Sequence, residues 1–186
     1  MLASLILKDG WIKGAVRVPS ENYDERPAAD VPELLVIHSI SLPPGEYGGG
    51  EICNFFQNRL DCSAHPYFDG IQHLQVSSHF LIERTGRLVQ FVSTEHRAWH
   101  AGESEYYGRT TVNNFSIGIE LEGMDDDVFE SEQYTALTAL SRTLIEAYPK
   151  IGSDAVTGHS DIAPGRKTDP GTGFDWIRYK ESISNL

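Results

Sequence analysis

Residues 158–171, GHSDIAPGRKTDPG, put one histidine, two aspartates, an arginine and a lysine into a single short stretch. Pro164 and Pro170 remove backbone donors, and Gly165 and Gly171 loosen the chain, so the stretch reads as a loop and is poor as helix or strand. Imidazole and carboxylate are common zinc ligands, so a loop carrying His159 and Asp169 can serve a metal. A third candidate is His38, which closes the apolar run ELLVIHSI (33–40). A histidine where a strand leaves the core sits on a rigid element, which suits a ligand. Local spacing does not settle a His38–His159–Asp169 site, because the chain has no HExxH helix and no CxxC pair. The other anomaly is Glu120 in NFSIGIELEG (114–123), opposite the Ile117–Ile119–Leu121 face and near Gly118. Two readings stay open. Glu120 is a solvated outer-face carboxylate, as Glu122 is expected to be, or it is a general base beneath a cleft.

The elements that must position these groups follow from periodicity. ELLVIHSI is a short β-type run suited to a strand buried on both faces. NFSIGIELEG alternates as a strand. SSHFLIERTGRLVQFV (77–92) predicts a hairpin turning near Thr85–Gly86. EICNFFQNRL (51–60) has helical spacing. SEQYTALTALSRTLIEAY (131–148) is the strongest helix, with Ser131 as cap, a Tyr134–Leu137–Leu140–Leu144–Tyr148 stripe and Pro149 as stop. FDWIRYKESI (174–183) predicts a terminal helix. Residues 19–32 read as a polar loop, and LPPGEYGGG (42–50) as a flexible one. Strands mixed with helices but without regular alternation predict an α+β fold, a central mixed β-sheet flanked by helices.

The chain's 186 residues and 40% hydrophobic content predict one domain, spanning 1–186. A net charge of −12 argues against nucleic acid and against an anionic membrane surface. The start, MLASLILKDGW, is too short to span a bilayer and lacks the pattern of a signal peptide. Cys53 and Cys62 form no disulfide framework. These features predict a cytoplasmic protein.

The segments LLVIHSISLPPGEYGG, SSHFLIERTGRLVQFV, RAWHAGESEYYGR, NNFSIGIELEG and GHSDIAPGRKTDPG…FDW occur in order over nearly the whole chain. As a set they resemble the type-2 N-acetylmuramoyl-L-alanine amidases, and within them the anhydro-muropeptide amidases of bacterial cell-wall recycling. The resemblance implies one Zn²⁺ per chain held by His38, His159 and Asp169. It implies Glu120 as general base and Lys167 as the cation that stabilises the transition state. Three protein ligands leave a fourth position for water, the pattern of a catalytic zinc site. The implied partner is an anhydro-muropeptide, cleaved between N-acetylmuramic acid and L-alanine by a monomer, with no nucleic acid or membrane involved. Ser39, Trp99 and Arg166 are the expected substrate contacts, Trp99 for a sugar ring and Arg166 for a stem-peptide carboxylate. His100 and His79 are expected to orient ligands or border the cleft, and Asp161 to cap the loop or sit behind the ligands. Three departures stand out: Ser39 where relatives commonly have Asn, Ser160 where they have Cys, and Gln75 where they often have a basic residue. Two rival readings are a non-catalytic peptidoglycan-recognition module, which typically lacks a zinc ligand, and an exported amidase acting on intact wall.

Overall fold

In the computed structural model, residues 5–184 are described; Met1–Ser4, the start of the N-terminal apolar run, and the last two positions of the expected 1–186 domain lie outside them. Six strands make the central sheet: β1 (Val16–Arg17), β2 (Leu34–Ile40), β3 (Phe80–Ile82), β4 (Leu88–Gln90), β5 (Ser116–Glu122) and β6 (Val156–Gly158). Their order is β6-β2-β5-β3-β4-β1. All pairings are parallel except β3–β4, the predicted hairpin. Four helices accompany the sheet: α1 (Glu51–Phe56), α2 (Ser131–Ala147), the single turn α3 (His159–Ile162) and α4 (Trp176–Ser184). The mixed α+β architecture is as expected from the sequence.

The two faces of the sheet are covered differently. Leu35, Ile37, Phe80, Ile82, Ile117, Ile119 and Leu121 pack with Leu137, Leu140 and Leu144 of α2 and Tyr179 and Ile183 of α4. Every one of these is essentially sealed from water, and each such side chain contributes about 1.5–3 kcal/mol. The other face is closed by two smaller clusters. One joins Leu81, Val89 and Phe91 to Ile52, Phe55 and Phe56 of α1. The second joins Leu34 and Val36 to Ala101, Val112, Phe115 and Ile162. His38 and Glu120 emerge on this second face, in line with Val36 and Gly118, because successive strand residues alternate sides.

The structure corrects several local expectations. Helix α2 starts one residue earlier in its capping: Glu130, not Ser131, is the cap, and Gln133 Oε1 accepts the Glu130 N–H at 3.0 Å. Helix α1 ends at Phe56, and Asn58 has φ 58°, so the predicted 51–60 helix is cut short. The polar stretch 19–32 contains a strand, Tyr23–Glu25, paired with His96–Ala98 and reinforced by an Asp24–Arg97 ion pair. Glu122 is buried, not solvated. It accepts the Gly48 N–H at 2.7 Å and the Arg84 N–H at 3.1 Å, which ties the glycine-rich loop 42–50 to the end of β5.

Candidate metal centre and active site

Parallel pairing sets Glu120 of β5 directly beside His38 of β2. On the other side of β2, Gly158 of β6 pairs with Ile37, so the next residue, His159, leaves the sheet level with His38. The 158–171 stretch is not wholly a loop: it begins with the turn α3, and the chain then returns so that Asp169 comes back to the same point. The Ser160 N–H donates to the Asp169 carbonyl at 2.9 Å, pinning the two ligand-bearing segments together. Asp161 caps this turn, its Oδ2 accepting the Thr157 hydroxyl and the Gly158 N–H, each at 2.9 Å. Gly171, at φ 80°, lets the returning chain lie against residue 125: a Cβ there would come within 2.2 Å of the Asp125 backbone.

The result is a triangle of ligand atoms. His38 Nδ1 lies 3.0 Å from His159 Nδ1 and 3.1 Å from Asp169 Oδ2, and His159 Nδ1 lies 3.0 Å from the same carboxylate oxygen. Zinc held at roughly 2.0–2.1 Å with tetrahedral angles would separate such atoms by about 3.3–3.4 Å. The donor set and its spacing therefore fit a zinc ion after a small expansion. His38, His159 and Asp169 also form the metal-capable cluster among the described residues. Burial pushes the His38 pKa down to about 4, against the pull of the Asp169 carboxylate, so the ring is neutral at physiological pH, the form a metal ligand needs.

A cleft of about 520 Å³ opens over this triangle. His38, His159, Asp169, Glu120, Lys167, Ser39 and Trp99 all line it. Phe55, Phe56, Tyr67 and Leu74 form an apolar part of its wall, and Asp125 and Asp126 a polar part. Glu120 is only 7% exposed; burial first, then the Asp169 charge, raises its pKa well above the ordinary value, with Lys167 pulling the other way. The outer-face alternative for Glu120 does not hold, because the side chain is buried at the cleft floor. Ser39 donates to Asp125 Oδ1 at a long 3.4 Å.

Arg166 lies elsewhere. It is not part of the cleft wall, and its Nη2 donates to the carbonyls of Ala101 at 2.6 Å and Glu103 at 2.5 Å. His79 is buried beneath β5, accepting the Gly118 N–H at 3.1 Å, and does not border the cleft. Gln75 is exposed and outside the cleft wall. Sequence reasoning did not single out Asn113 or Ser116. Both prove to hold the segment behind the ligands, and no local pattern marks them.

Comparison with known proteins places this geometry in context. The family described as N-acetylmuramoyl-L-alanine amidase matches residues 28–172. The chain is 53% identical to the 1,6-anhydro-N-acetylmuramyl-L-alanine amidase AmpD of Escherichia coli, over 97% of this chain and 98% of that one. A crystal structure of a selenomethionine AmpD derivative superposes with a TM-score of 0.94 at 52% identity, covering 96% of this chain and 99% of the other. The amidase AmiD of Escherichia coli, solved with anhydro-N-acetylmuramic acid-L-Ala-D-γ-Glu-L-Lys, superposes at 0.59 with 29% identity, over 96% of this chain and 65% of that one.

Proposed function

The chain belongs to the N-acetylmuramoyl-L-alanine amidase family, and from that premise we propose that it is a zinc-dependent, cytoplasmic enzyme of cell-wall recycling that releases the peptide from 1,6-anhydro-N-acetylmuramyl-L-alanine muropeptides. One observation carries the reading: the metal-capable triangle, a buried carboxyl and a lysine line one cleft in a chain about half identical to AmpD. The reading takes the chain as one domain acting as a monomer.

In this reading His38, His159 and Asp169 would hold one Zn²⁺, which would supply Lewis acidity and make water a better nucleophile near neutral pH. Glu120 accepts the proton of the attacking water on its carboxylate and returns it to the L-alanine nitrogen as that nitrogen leaves. Lys167 neutralises the negative charge that gathers on the lactyl carbonyl oxygen, a contribution worth on the order of 10²–10³ in rate for one well-placed donor. Trp99 offers a flat face to the sugar, and Ser39 a hydroxyl beside the first ligand. Arg166, whose Nη2 donates to the carbonyls of Ala101 and Glu103, braces the 101–103 segment. The decisive assay measures peptide release from soluble anhydro-muropeptide and zinc content on the same sample. A fully metallated protein that leaves this substrate intact would overturn the proposal.

Lys167→Met is expected to retain zinc and to lower kcat more than it raises KM. The charge Lys167 meets develops only in the transition state, and such interactions act on kcat. Steady-state kinetics with metal analysis separate this from ground-state anchoring, which would move KM alone.

Substrate choice gives a second expected result. The anhydro ring fixes the sugar conformation and leaves no reducing hydroxyl. A cleft fitted to that ring leaves polar groups unpaired when it receives the hydrated sugar, at about 1–3 kcal/mol each. The anhydro form should therefore be favoured in kcat/KM by about one to two decades. Equal values for the two forms of one muropeptide would remove the anhydro preference and leave the amidase assignment intact.

A further inference from the structure

Each metal histidine presents Nδ1 to the triangle, so each must carry its proton on Nε2 and leave Nδ1 bare. For His159 the reason is direct. Its Nε2 lies 3.1 Å from the Ala101 carbonyl oxygen, which can only accept. For His38 the reason must be followed through three more groups. Its Nε2 faces His100 Nδ1 at 2.9 Å, and two imidazole nitrogens leave the direction of donation undecided. His100 Nε2 is 3.1 Å from Ser116 Oγ, which is as ambiguous by itself. The ambiguity ends at Ser116, whose hydroxyl lies 2.7 Å from the Val112 carbonyl and donates to it. With that proton spent, Ser116 Oγ accepts from His100 Nε2–H. His100 Nδ1 is then a lone pair and accepts from His38 Nε2–H. All three side chains are buried, His38 at 2%, His100 at 8% and Ser116 at 0% exposure, so water does not readily substitute for any of them.

The two partners of the metal histidines are neighbours in sequence. His100 serves His38 by its side chain, and Ala101 serves His159 by its carbonyl. One oxygen, Asn113 Oδ1, accepts both of their backbone N–H groups, at 3.2 and 2.8 Å. Gly118 gives the His100 ring its place: a Cβ on residue 118 would lie 2.4 Å from His100 Cγ. The glycine in β5 thus serves the ring behind the ligand.

We propose that the His100–Ala101 step, terminated by Ser116 and pinned by Asn113, sets the tautomer of both metal histidines through two neutral acceptors, the His100 ring and the Ala101 carbonyl, the latter shared with the Arg166 guanidinium. The proposal rests on the metal site argued above. Outer partners of metal histidines are often carboxylates, which add negative charge behind the ring. Here neither partner is charged, so Asp169 brings the only negative charge among the ligands and their immediate partners. His100, Ser116 and Asn113 are positioning residues outside the metal triangle, and of the three only the His100 ring also reaches the cleft wall.

The test compares wild type with Ser116→Ala, His100→Phe and His100→Asn. Long-range proton–nitrogen NMR on the metal-free proteins, with Asp169 replaced by alanine in each so that its carboxylate, 3.0 Å from His159 Nδ1 and 3.1 Å from His38 Nδ1, does not compete for the protons, reads each tautomer; chelator competition on the proteins that keep Asp169 reads zinc affinity. In wild type both His38 and His159 should carry the proton on Nε2. Ser116→Ala removes one buried oxygen, and His38 should then populate the Nδ1–H form with zinc affinity down about 10- to 100-fold, the range for an outer partner. His100→Phe should lose at least as much. His100→Asn, whose amide oxygen can stand near the former Nδ1, should recover most of the loss. A wild-type His38 protonated on Nδ1, or a Ser116→Ala protein with unchanged tautomer and unchanged affinity, overturns the relay. If wild type binds no zinc, the metal reading fails, while NMR on the metal-free chain still judges the relay.

Discussion

Replacing Asp169 with alanine is expected to remove zinc and activity together. Two neutral imidazoles remain in Asp169→Ala, and a dication loses the one ligand that brings opposite charge. Affinity should fall by more than the roughly 10- to 100-fold that follows loss of an outer partner. The fold itself should survive, because the link from the Ser160 N–H runs to the Asp169 backbone carbonyl and is kept in the variant. Asp169→Asn separates charge from shape, since it keeps the side chain's size while replacing a carboxylate oxygen by an amide group. It should bind zinc more weakly than wild type and more tightly than Asp169→Ala. Equilibrium dialysis with metal analysis, run beside a cleavage assay, checks both variants. Full zinc and full turnover in Asp169→Ala would mean that the triangle is not the metal site.

Much of this arrangement can be read from the chain, and the unread part has a physical cause. The strands carrying His38 and Glu120 show themselves by apolar runs and alternation, and helix α2 by its stripe. The ligand set does not, because His38 and His159 are 121 positions apart and meet only through the pairing of β6 with β2. The family resemblance, not spacing, supplied that connection. Alternation also misleads at Glu122. A strand covered on both faces has no solvated side, so Glu122 is buried and satisfied by the N–H groups of Gly48 and Arg84. The strand at Tyr23–Glu25 was unreadable for another reason. It is three residues long, polar, and defined by its partner, His96–Ala98. Arg166 shows a limit of reasoning by residue type: a guanidinium suits a carboxylate, but here the residue stands outside the cleft wall and its Nη2 donates to two backbone carbonyls. Ser116 and Asn113 carry no sequence signal at all, since their role is visible only when the hydrogen bonds around His100 are followed to their end.

Glu120→Gln is expected to lower kcat by roughly 10²–10⁴, the span of a general base, while zinc occupancy stays near one per chain. The amide matches the carboxylate in size but cannot take a proton from water, and Glu120 is outside the triangle of metal ligands. A second result follows from its burial. With zinc stripped out by a chelator, the raised pKa keeps Glu120 protonated in the folded chain at pH values where the unfolded chain has lost that proton. The folded state then binds more protons than the unfolded one, so this group's contribution to stability falls as pH rises above the ordinary glutamate value. The contribution is fully present below that value and is lost as pH climbs through the raised one. Glutamine does not titrate, so the metal-free Glu120→Gln protein should hold its melting temperature better than metal-free wild type from mildly acidic to neutral pH, and the two should converge toward acid. Zinc reverses the bias, since a dication beside the carboxyl favours its charged form, and the gap between the two proteins should narrow on adding metal. Kinetics, metal analysis and melting curves at several pH values test the set. Wild-type turnover in Glu120→Gln would remove the carboxyl from the chemistry, whatever the melting curves showed.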